Sequence, residues 1–147
     1  MKVELVKTHP DAIIPTLGSS GAAAYDLYAC LPHGDVDVFY GQTVGIGTGI
    51  SLHPASGDVA AIALPRSGLG SKGLILANTV GLIDSDYQGE IILMFYNRRY
   101  GCSPFTINHG DRVAQLLFTP VLRPDFKVVP QFSVDTSRGS KGFGSTG

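Results

Sequence analysis

The sequence predicts an all-β protein: a single-domain barrel or jelly roll with at most one short helix. Nineteen Gly and nine Pro are spread through 147 residues, so few stretches are long enough for an amphipathic helix of ordinary length. The segments between these turn residues are short and rich in β-branched and aromatic side chains, which is typical of strands. A chain of this length buries roughly 68–70% of its unfolded surface, which is enough for one core. We therefore expect many short strands around a single core.

The apolar segments predict strands at residues 3–6, 22–28, 36–40, 43–52, 59–64, 74–77, 90–96, 113–119 and 126–133. The segment 113–119 also fits helical spacing, but Pro120 ends it so soon that a strand is favoured. A helical turn near 67–72 is the only helix expected. We divide the chain into a β-barrel domain, 1–137, and a glycine-rich C-terminal arm, 138–147.

Composition excludes several classes of function. The two cysteines, Cys30 and Cys102, form no Cys-x-x-Cys motif or Cys/His cluster, so neither a zinc site nor a disulfide framework is indicated. A formal net charge of −1 leaves no basic field for a nucleic-acid polymer. No apolar run approaches the ~20 residues that cross a bilayer. We expect a cytoplasmic protein that binds neither a membrane nor a nucleic-acid polymer.

The C-terminal arm, Arg138-Gly139-Ser140-Lys141-Gly142-Phe143-Gly144-Ser145-Thr146-Gly147, has the composition of a lid that closes on a ligand. Its glycines make one fixed conformation entropically costly without a partner. Its cations and hydroxyls suit phosphate oxygens, and Phe143 could cover a flat ring, so the implied ligand is a nucleotide. The alternative is a frayed chain end.

Asp84 is the candidate catalytic residue. It follows the apolar pair Leu82 and Ile83, where a strand leaves the core, and its carboxylate could orient and deprotonate a water molecule. Tyr87 could form a flat wall for a sugar. The alternatives are a solvated turn carboxylate, which applies equally to Asp86, and ordinary packing of an aromatic side chain on a sheet.

Residues 65–68, Pro-Arg-Ser-Gly, fit either a phosphate-binding turn or a plain turn. In the first case Arg66 supplies a planar cation, Ser67 a hydroxyl, and Gly68 a closely approaching N–H. The overlapping G-x-G-x-x-G at 68–73 precedes a strand-like segment rather than a long helix, which excludes a dinucleotide fold.

Two further polar residues interrupt apolar segments. Asp26 needs a fixed partner, for which Arg112 is a candidate, and a structural pair is favoured over direct catalysis. Gln115 either faces solvent or reaches into a site. The histidines at 9, 33, 53 and 109 have no metal-ligand spacing and receive no role.

Together these segments resemble the five motifs of the homotrimeric dUTPases, in their bacterial form. The motifs are, in order, Ala24-Tyr25-Asp26-Leu27, Pro65-Arg66-Ser67-Gly68, Asn78 with the stretch 81–89, Gly110-Asp111-Arg112-Val113-Ala114-Gln115-Leu116, and the arm from Arg138. Their order and spacing span nearly the whole chain. The resemblance implies Mg²⁺-dependent hydrolysis of dUTP to dUMP and pyrophosphate, which keeps uracil out of DNA and supplies dUMP for dTMP synthesis.

The same resemblance implies a role for each site residue. Asp84 would activate the water that attacks the α-phosphate, and Tyr87 would pack beneath the deoxyribose and exclude a 2′-hydroxyl. The expected uracil-binding residues are Asn78, Gly81, Leu82, Ile83 and Ile92. The expected phosphate-binding residues are Arg66, Ser67, Gly68 and Gln115. From the arm, Arg138, Phe143, Gly144, Ser145 and Thr146 would bind substrate, with Phe143 over the uracil.

The resemblance also implies how metal and subunits contribute. Triphosphate oxygens and waters would carry the Mg²⁺, with no direct protein ligand and Asp26 no nearer than the outer shell. Three subunits would build each site: one gives the uracil hairpin, another the phosphate residues, and the third the arm. Lys141 departs from the family pattern, in which many relatives carry a small residue.

Two alternatives share this fold. One is a dCTP deaminase or bifunctional relative, which acts at C4 of the base. The other is a non-catalytic nucleotide-binding trimer, whose expected signature is loss of Asp84 or of the arm. Both features are present here.

Overall fold

The structure, a computed structural model, describes residues 1–142, and its regular secondary structure consists of short strands and one short helix, which confirms the predicted fold class. The strands are β1 Val3–Lys7, β2 Thr16–Leu17, β3 Tyr25–Tyr28, β4 Val36–Val38, β5 Thr43–Gly47, β6 Ile50–Pro54, β7 Val59–Pro65, β8 Leu74–Leu76, β9 Gly81–Ile83, β10 Ile92–Asn97, β11 Phe105–Ile107 and β12 Arg112–Pro120. The helix α1, Ser67–Lys72, lies where a helical turn was predicted. No helix within residues 1–142 has the length and hydrophobicity needed to span a bilayer.

The strands pair antiparallel in four sheets. The largest has the order β2-β3-β12-β7-β9, with β12 at its centre. The second sheet has three strands in the order β5-β10-β8. The other two sheets are the strand pairs β1-β6 and β11-β4. β9, at the end of the five-stranded sheet, and β10, in the middle of the three-stranded sheet, are therefore consecutive strands in different sheets.

Alternation along β7 and β12 separates two faces of the five-stranded sheet. Leu116 opposes Ala63 and Phe118 opposes Ala61, so these side chains share one face, which we call the inner face. Ala61, Ala63 and Leu116 are buried there and form one core with residues of the other sheets, including Phe95. The opposite, outer face carries Gln115, which opposes both Asp26 and Leu64.

Apart from the segment 126–133, two of the predicted strands differ most from the structure, and the others differ by at most two residues at an end. The segment 43–52 is divided into β5 and β6, because Gly49 adopts a φ of +66° and turns the chain sharply. Buried Thr48 stabilises this corner by donating from Oγ1 to the carbonyl of Ile91 over 2.7 Å. The segment 22–28 begins as a strand only at Tyr25.

The predicted strand at 126–133 was wrong. These residues form no strand, and Phe126 is 91% exposed. A strand needs a neighbour to satisfy its backbone and cover its apolar face, and none of the described residues supplies one. The predicted strands omit the very short strands β2 and β11, whereas β9 was indicated only by the apolar pair Leu82 and Ile83 before Asp84.

Two glycines provide a matched test of the β5–β6 corner. Gly49 and Gly101 have φ values of +66° and +68°, but a Cβ at Gly49 would lie 2.7 Å from Cys30 Sγ, whereas one at Gly101 meets nothing. We expect Gly101→Ala to lower the free energy of unfolding by about 1–2 kcal/mol through its backbone conformation alone. Gly49→Ala should cost a further 1–3 kcal/mol or so through overpacking. Urea unfolding at one protein concentration measures both, and equal losses would contradict the packing argument.

Candidate active site

A pocket of about 250 Å³ opens between β9, the segment 84–91 and β10. It brings together the following residues singled out from the sequence: Asn78, Gly81, Leu82, Ile83, Asp84, Tyr87 and Ile92. The remaining lining residues are Ala63, Leu76, Glu90, Ile91, Leu93 and Met94. The pocket therefore combines apolar side chains with the carboxylates of Asp84 and Glu90 and the amide of Asn78.

Gly81 allows β9 to lie close to β7. It opposes Ala63 in the ladder, and a Cβ at position 81 would lie 3.2 Å from the Ala63 Cβ. β9 also ends the sheet, so only β7 pairs with it among the described residues. One edge of β9 consequently offers main-chain donors and acceptors to whatever occupies the pocket.

Asn78 lies on the turn between β8 and β9. Its carbonyl accepts from the Val80 N–H over 2.6 Å, and Thr79 adopts a φ of 60°. Positive φ is rare for a β-branched residue. The preceding Ala77 N–H donates to Met94 O over 2.7 Å, which ties this turn to β10.

Asp84 is exposed at the point where β9 ends. Its carbonyl accepts the Tyr87 N–H over 3.2 Å, which closes a turn across residues 84–87. The Asp84 carboxylate thus lies at the rim of the pocket, in contact with solvent, where it could activate a water molecule.

The ring of Tyr87 packs against Gly89. Any Cβ at position 89 would overlap this ring, so glycine is required for the packing. The Tyr87 hydroxyl also donates to the Glu90 carbonyl over 3.0 Å. These contacts fix a half-exposed aromatic wall at the side of the pocket.

Glu90 is a site residue that the sequence reasoning missed. Its Oε1 accepts from the Gly49 N–H over 2.8 Å, and its Oε2 accepts from the Thr8 hydroxyl over 3.1 Å. Both partners are more than 40 positions away in the chain. No local pattern around Glu90 could have indicated them.

A second cluster of charged residues surrounds Asp26. Its Oδ1 accepts from Arg66 Nε over 3.1 Å, and its Oδ2 accepts from Arg112 Nη1 over 3.3 Å. Asp26 is buried, whereas the side chains of Arg66 and Arg112 are 29% and 51% exposed. This confirms the predicted pairing with Arg112. The contact with Arg66 was not foreseen.

The pocket and the Asp26 cluster lie on opposite faces of one sheet. Asp26 and Gln115 share the outer face, and Arg66 continues the alternation of β7 in extended conformation onto that face. Ala63 and Gly81, which line the pocket, belong to the inner face. Ser67 and Gly68 begin α1, just after Arg66. The residues expected to bind uracil and those expected to bind phosphate therefore do not form a single site within one chain.

The arm is described only as far as Gly142. Arg138 is exposed, and its Nε donates to the Lys141 carbonyl over 3.1 Å. The other arm residues named above, Phe143, Gly144, Ser145 and Thr146, lie outside the described residues.

Comparison with known proteins identifies the family. A model of the dUTPase family matches residues 10–147. The chain belongs to the dUTPase family. Curated relatives named deoxyuridine 5'-triphosphate nucleotidohydrolase include proteins of Shewanella sediminis, Haemophilus ducreyi and Escherichia coli, which are 49%, 50% and 47% identical to it. These alignments cover 91% of this chain and 86%, 86% and 87% of the three relatives.

Solved dUTPase structures share the fold. A Staphylococcus bacteriophage 80alpha dUTPase with dUpNHpp has a TM-score of 0.84 at 23% identity, covering 99% of this chain and 98% of that chain. A variant dUTPase from phage phi11 of S. aureus, described with a structural Mg(II) ion, has a TM-score of 0.80 at 21% identity and covers 91% and 100% of the two chains. At these identities the likeness supports the dUTPase fold alone.

The Asp26 cluster gives a test of stability in this dUTPase-family chain. Asp26→Ala removes both arginine hydrogen bonds, so we expect the free energy of unfolding to fall by about 1.5–3 kcal/mol, as for bonds to charged groups. Arg112→Ala should cost about 1 kcal/mol or less, because this guanidinium is half exposed and Arg66 still pairs with Asp26. Urea unfolding of both variants at one protein concentration measures which of them loses more free energy of unfolding. An Arg112→Ala loss as large as that of Asp26→Ala would contradict it.

Proposed function

We propose that this protein hydrolyses dUTP to dUMP and pyrophosphate, with Asp84 as the general base that activates the attacking water. The observation that supports the proposal is the pocket itself: Asp84 lines a cleft together with Asn78, Gly81 and Tyr87. A carboxylate within reach of a water beside the α-phosphate can take its proton as the new P–O bond forms and the bond from the α-phosphorus to the bridging oxygen breaks, so that pyrophosphate leaves.

The pocket supports recognition of uracil by main-chain groups. The open edge of β9 and the amide of Asn78 present donors and acceptors on a rigid frame. A base with the wrong hydrogen-bonding edge, such as cytosine, would leave buried groups unpaired, which disfavours its binding strongly. Main-chain groups of Leu82, Ile83 and Ile92 would contact the uracil edge.

Tyr87 supports selection of the sugar. Its ring is held in place by Gly89 and by the hydrogen bond to the Glu90 carbonyl. A ring fixed in this way can pack against a deoxyribose and leave no room for a 2′-hydroxyl. We assign the choice between deoxyribose and ribose to this steric contact.

Arg66, Ser67, Gly68 and Gln115 would bind the triphosphate. Asp26 holds Arg66 through Nε, which leaves other guanidinium N–H groups for phosphate oxygens. Because these residues occupy the outer face, they would serve the pocket of a neighbouring chain rather than their own.

Mg²⁺ would be carried chiefly by triphosphate oxygens and waters. Among residues 1–142, no group of three or more His, Cys, Asp or Glu side chains could hold a metal ion, and both Asp26 oxygens accept from arginines. These side chains fit an ion that arrives bound to the nucleotide, since Mg²⁺ usually keeps several waters. Asp26 would then contact the ion at most through its outer shell. When bound, the ion neutralises charge on the phosphate oxygens.

We further propose that the protein is a homotrimer with shared active sites. Besides the division of the site between two faces, two apolar surfaces support self-association. Leu82 is 66% exposed, and the segment 122–134 exposes apolar side chains at alternate positions, including Phe126, Val128, Phe132 and Val134. A second copy would cover these exposed apolar side chains and could supply a pairing partner for the segment.

Residues 1–137 would then form the barrel domain, and residues 138–147 the arm that closes a site. Arg138, Phe143, Gly144, Ser145 and Thr146 would contact bound substrate, and closure would exclude water from the reacting groups. Cytoplasmic localisation stays a prediction from the sequence.

The role of Asp84 is tested by Asp84→Asn, with Asp86→Asn as the matched control in the same turn. The amide cannot accept the proton of the water, so we expect turnover to fall by about 100- to 10,000-fold, the usual contribution of a general base. Affinity for dUpNHpp should be retained. Pyrophosphate release from dUTP measures turnover, and calorimetry measures binding.

The control should keep near-normal turnover. Asp84→Asn with undiminished pyrophosphate release would exclude Asp84 as the base.

Parallel incubations of the unaltered protein with dCTP, dTTP and UTP test base and sugar selection, and ammonia released from dCTP would instead indicate a deaminase.

The arm and the trimer are tested together by truncation after Ser137. We expect the shortened protein to remain a trimer in light scattering, with three times the mass of its own shortened chain, because the exposed apolar residues proposed for self-association lie before position 138. Its kcat/KM for dUTP should fall by at least about 100-fold, because the lid no longer aligns the reacting groups. A monomeric mass for the full-length protein would contradict the trimer, and an unchanged kcat/KM would contradict the lid.

A further inference from the structure

The segment 84–90, which carries Asp84 and Tyr87, is anchored to β6 by two side chains. Ser51 Oγ donates to the carbonyl of Gln88 over 2.7 Å, and His53 Nδ1 bonds the carbonyl of Ser85 over 3.1 Å. A carbonyl oxygen only accepts, so Nδ1 of His53 carries the proton in this contact. The anchored carbonyls stand one residue after Asp84 and one residue after Tyr87.

The spacing of the two donors matches the shape of the segment. Ser51 and His53 are two residues apart on β6, so their side chains lie on one face about 7 Å apart. Next to them, the Ile91 N–H donates to the Ile50 carbonyl over 2.9 Å. The segment is thus fixed along β6 by successive hydrogen bonds.

The two donors differ in burial. Ser51 is buried, so its loss would leave a desolvated carbonyl and a packing defect. His53 is only partly buried, and it lines a small pocket with Glu4 and Gln88 that is separate from the pocket at Asp84. Water could reach the Ser85 carbonyl if His53 were absent, so the loss should affect geometry more than stability.

We propose that His53 is a positioning residue for Asp84, acting through the Ser85 carbonyl; this rests on the proposed function of Asp84 as general base. The direction of the Asp84 carboxylate follows its backbone, which is held by the turn to Tyr87 N–H and by the anchored peptide group at Ser85. Without the second restraint, the turn can rotate and the carboxylate moves relative to the reacting water.

This role predicts a specific kinetic signature. His53 does not line the pocket between β9 and β10 that is proposed to hold the base, so KM should change little. A positioning defect of about 1 Å lowers turnover by about 10- to 100-fold. His53→Leu should therefore lower kcat in that range with nearly unchanged KM and thermal midpoint.

The test compares His53→Leu with His53→Asn. Leucine has no donor, whereas the side-chain amide N–H₂ of asparagine stands on Cγ where the imidazole has Nδ1 and can reach the same carbonyl. We expect His53→Asn to restore kcat to within about threefold of the unaltered protein. If His53→Leu lowers kcat tenfold, the asparagine variant would recover at least about 0.7 kcal/mol of the activation free energy. His33→Leu, an exposed histidine elsewhere, is the matched control and should leave kcat unchanged.

A readout independent of catalysis accompanies the kinetics. Hydrogen exchange of peptides covering 84–90 should be faster in His53→Leu than in the unaltered protein and in His53→Asn, because the turn opens more often. Normal kcat and normal exchange in His53→Leu would overturn the proposal, as would an equal defect in the Leu and Asn variants. Absence of dUTP hydrolysis by the unaltered protein would instead overturn the proposed function, while the exchange measurement would still test the anchor.

Discussion

The carboxylate of Glu90 joins the candidate site to the barrel, and the geometry of the pocket depends on it. It accepts from the Gly49 N–H and from the Thr8 hydroxyl, so the end of the segment 84–91 is held at the corner between β5 and β6. The approach is so close that a Cβ at Gly47 would lie 2.6 Å from Glu90 Oε1. Glycines at 47 and 49 and an acid at 90 are therefore one structural unit, although nothing in their local sequence connects them.

The same corner determines the chemical state of Cys30. Its Sγ lies under Gly49, and burial, reinforced by the negative charge of Glu90, raises the pKa of the thiol above its ordinary value of 9.0. The thiol consequently stays protonated at neutral pH and behaves as a small apolar side chain. A carboxylate can be placed beside this cysteine because the cysteine remains uncharged, and because backbone and hydroxyl donors compensate the negative charge of Glu90.

Local features of the site followed from the sequence, and long-range ones did not. Gly81, Asp84 and Gly89 stand within nine residues, so their turn and its carboxylate could be predicted together, and the structure brings this stretch into one pocket with Asn78. The Arg66–Asp26 contact joins residues 40 positions apart, and neither residue's neighbours indicate the other. The segment 126–133 was predicted as a strand from its β-branched and aromatic side chains, but such composition does not say which strand it will pair with, or in which chain. That is why a strand was predicted where the single chain has none.

The Asp26 cluster also explains how cations can be fixed without being neutralised. One carboxylate holds two guanidinium groups, so the three side chains keep a formal charge of +1 on the outer face. Arg66 uses Nε for Asp26 and Nη1 for the Arg112 carbonyl, and a guanidinium has five N–H donors, so donors remain for an anion. Fixing the planar fork before a ligand arrives reduces the conformational entropy lost on binding. In the proposed function, this buried aspartate between arginines that are 29% and 51% exposed would therefore shape a polyphosphate site rather than hold a metal ion.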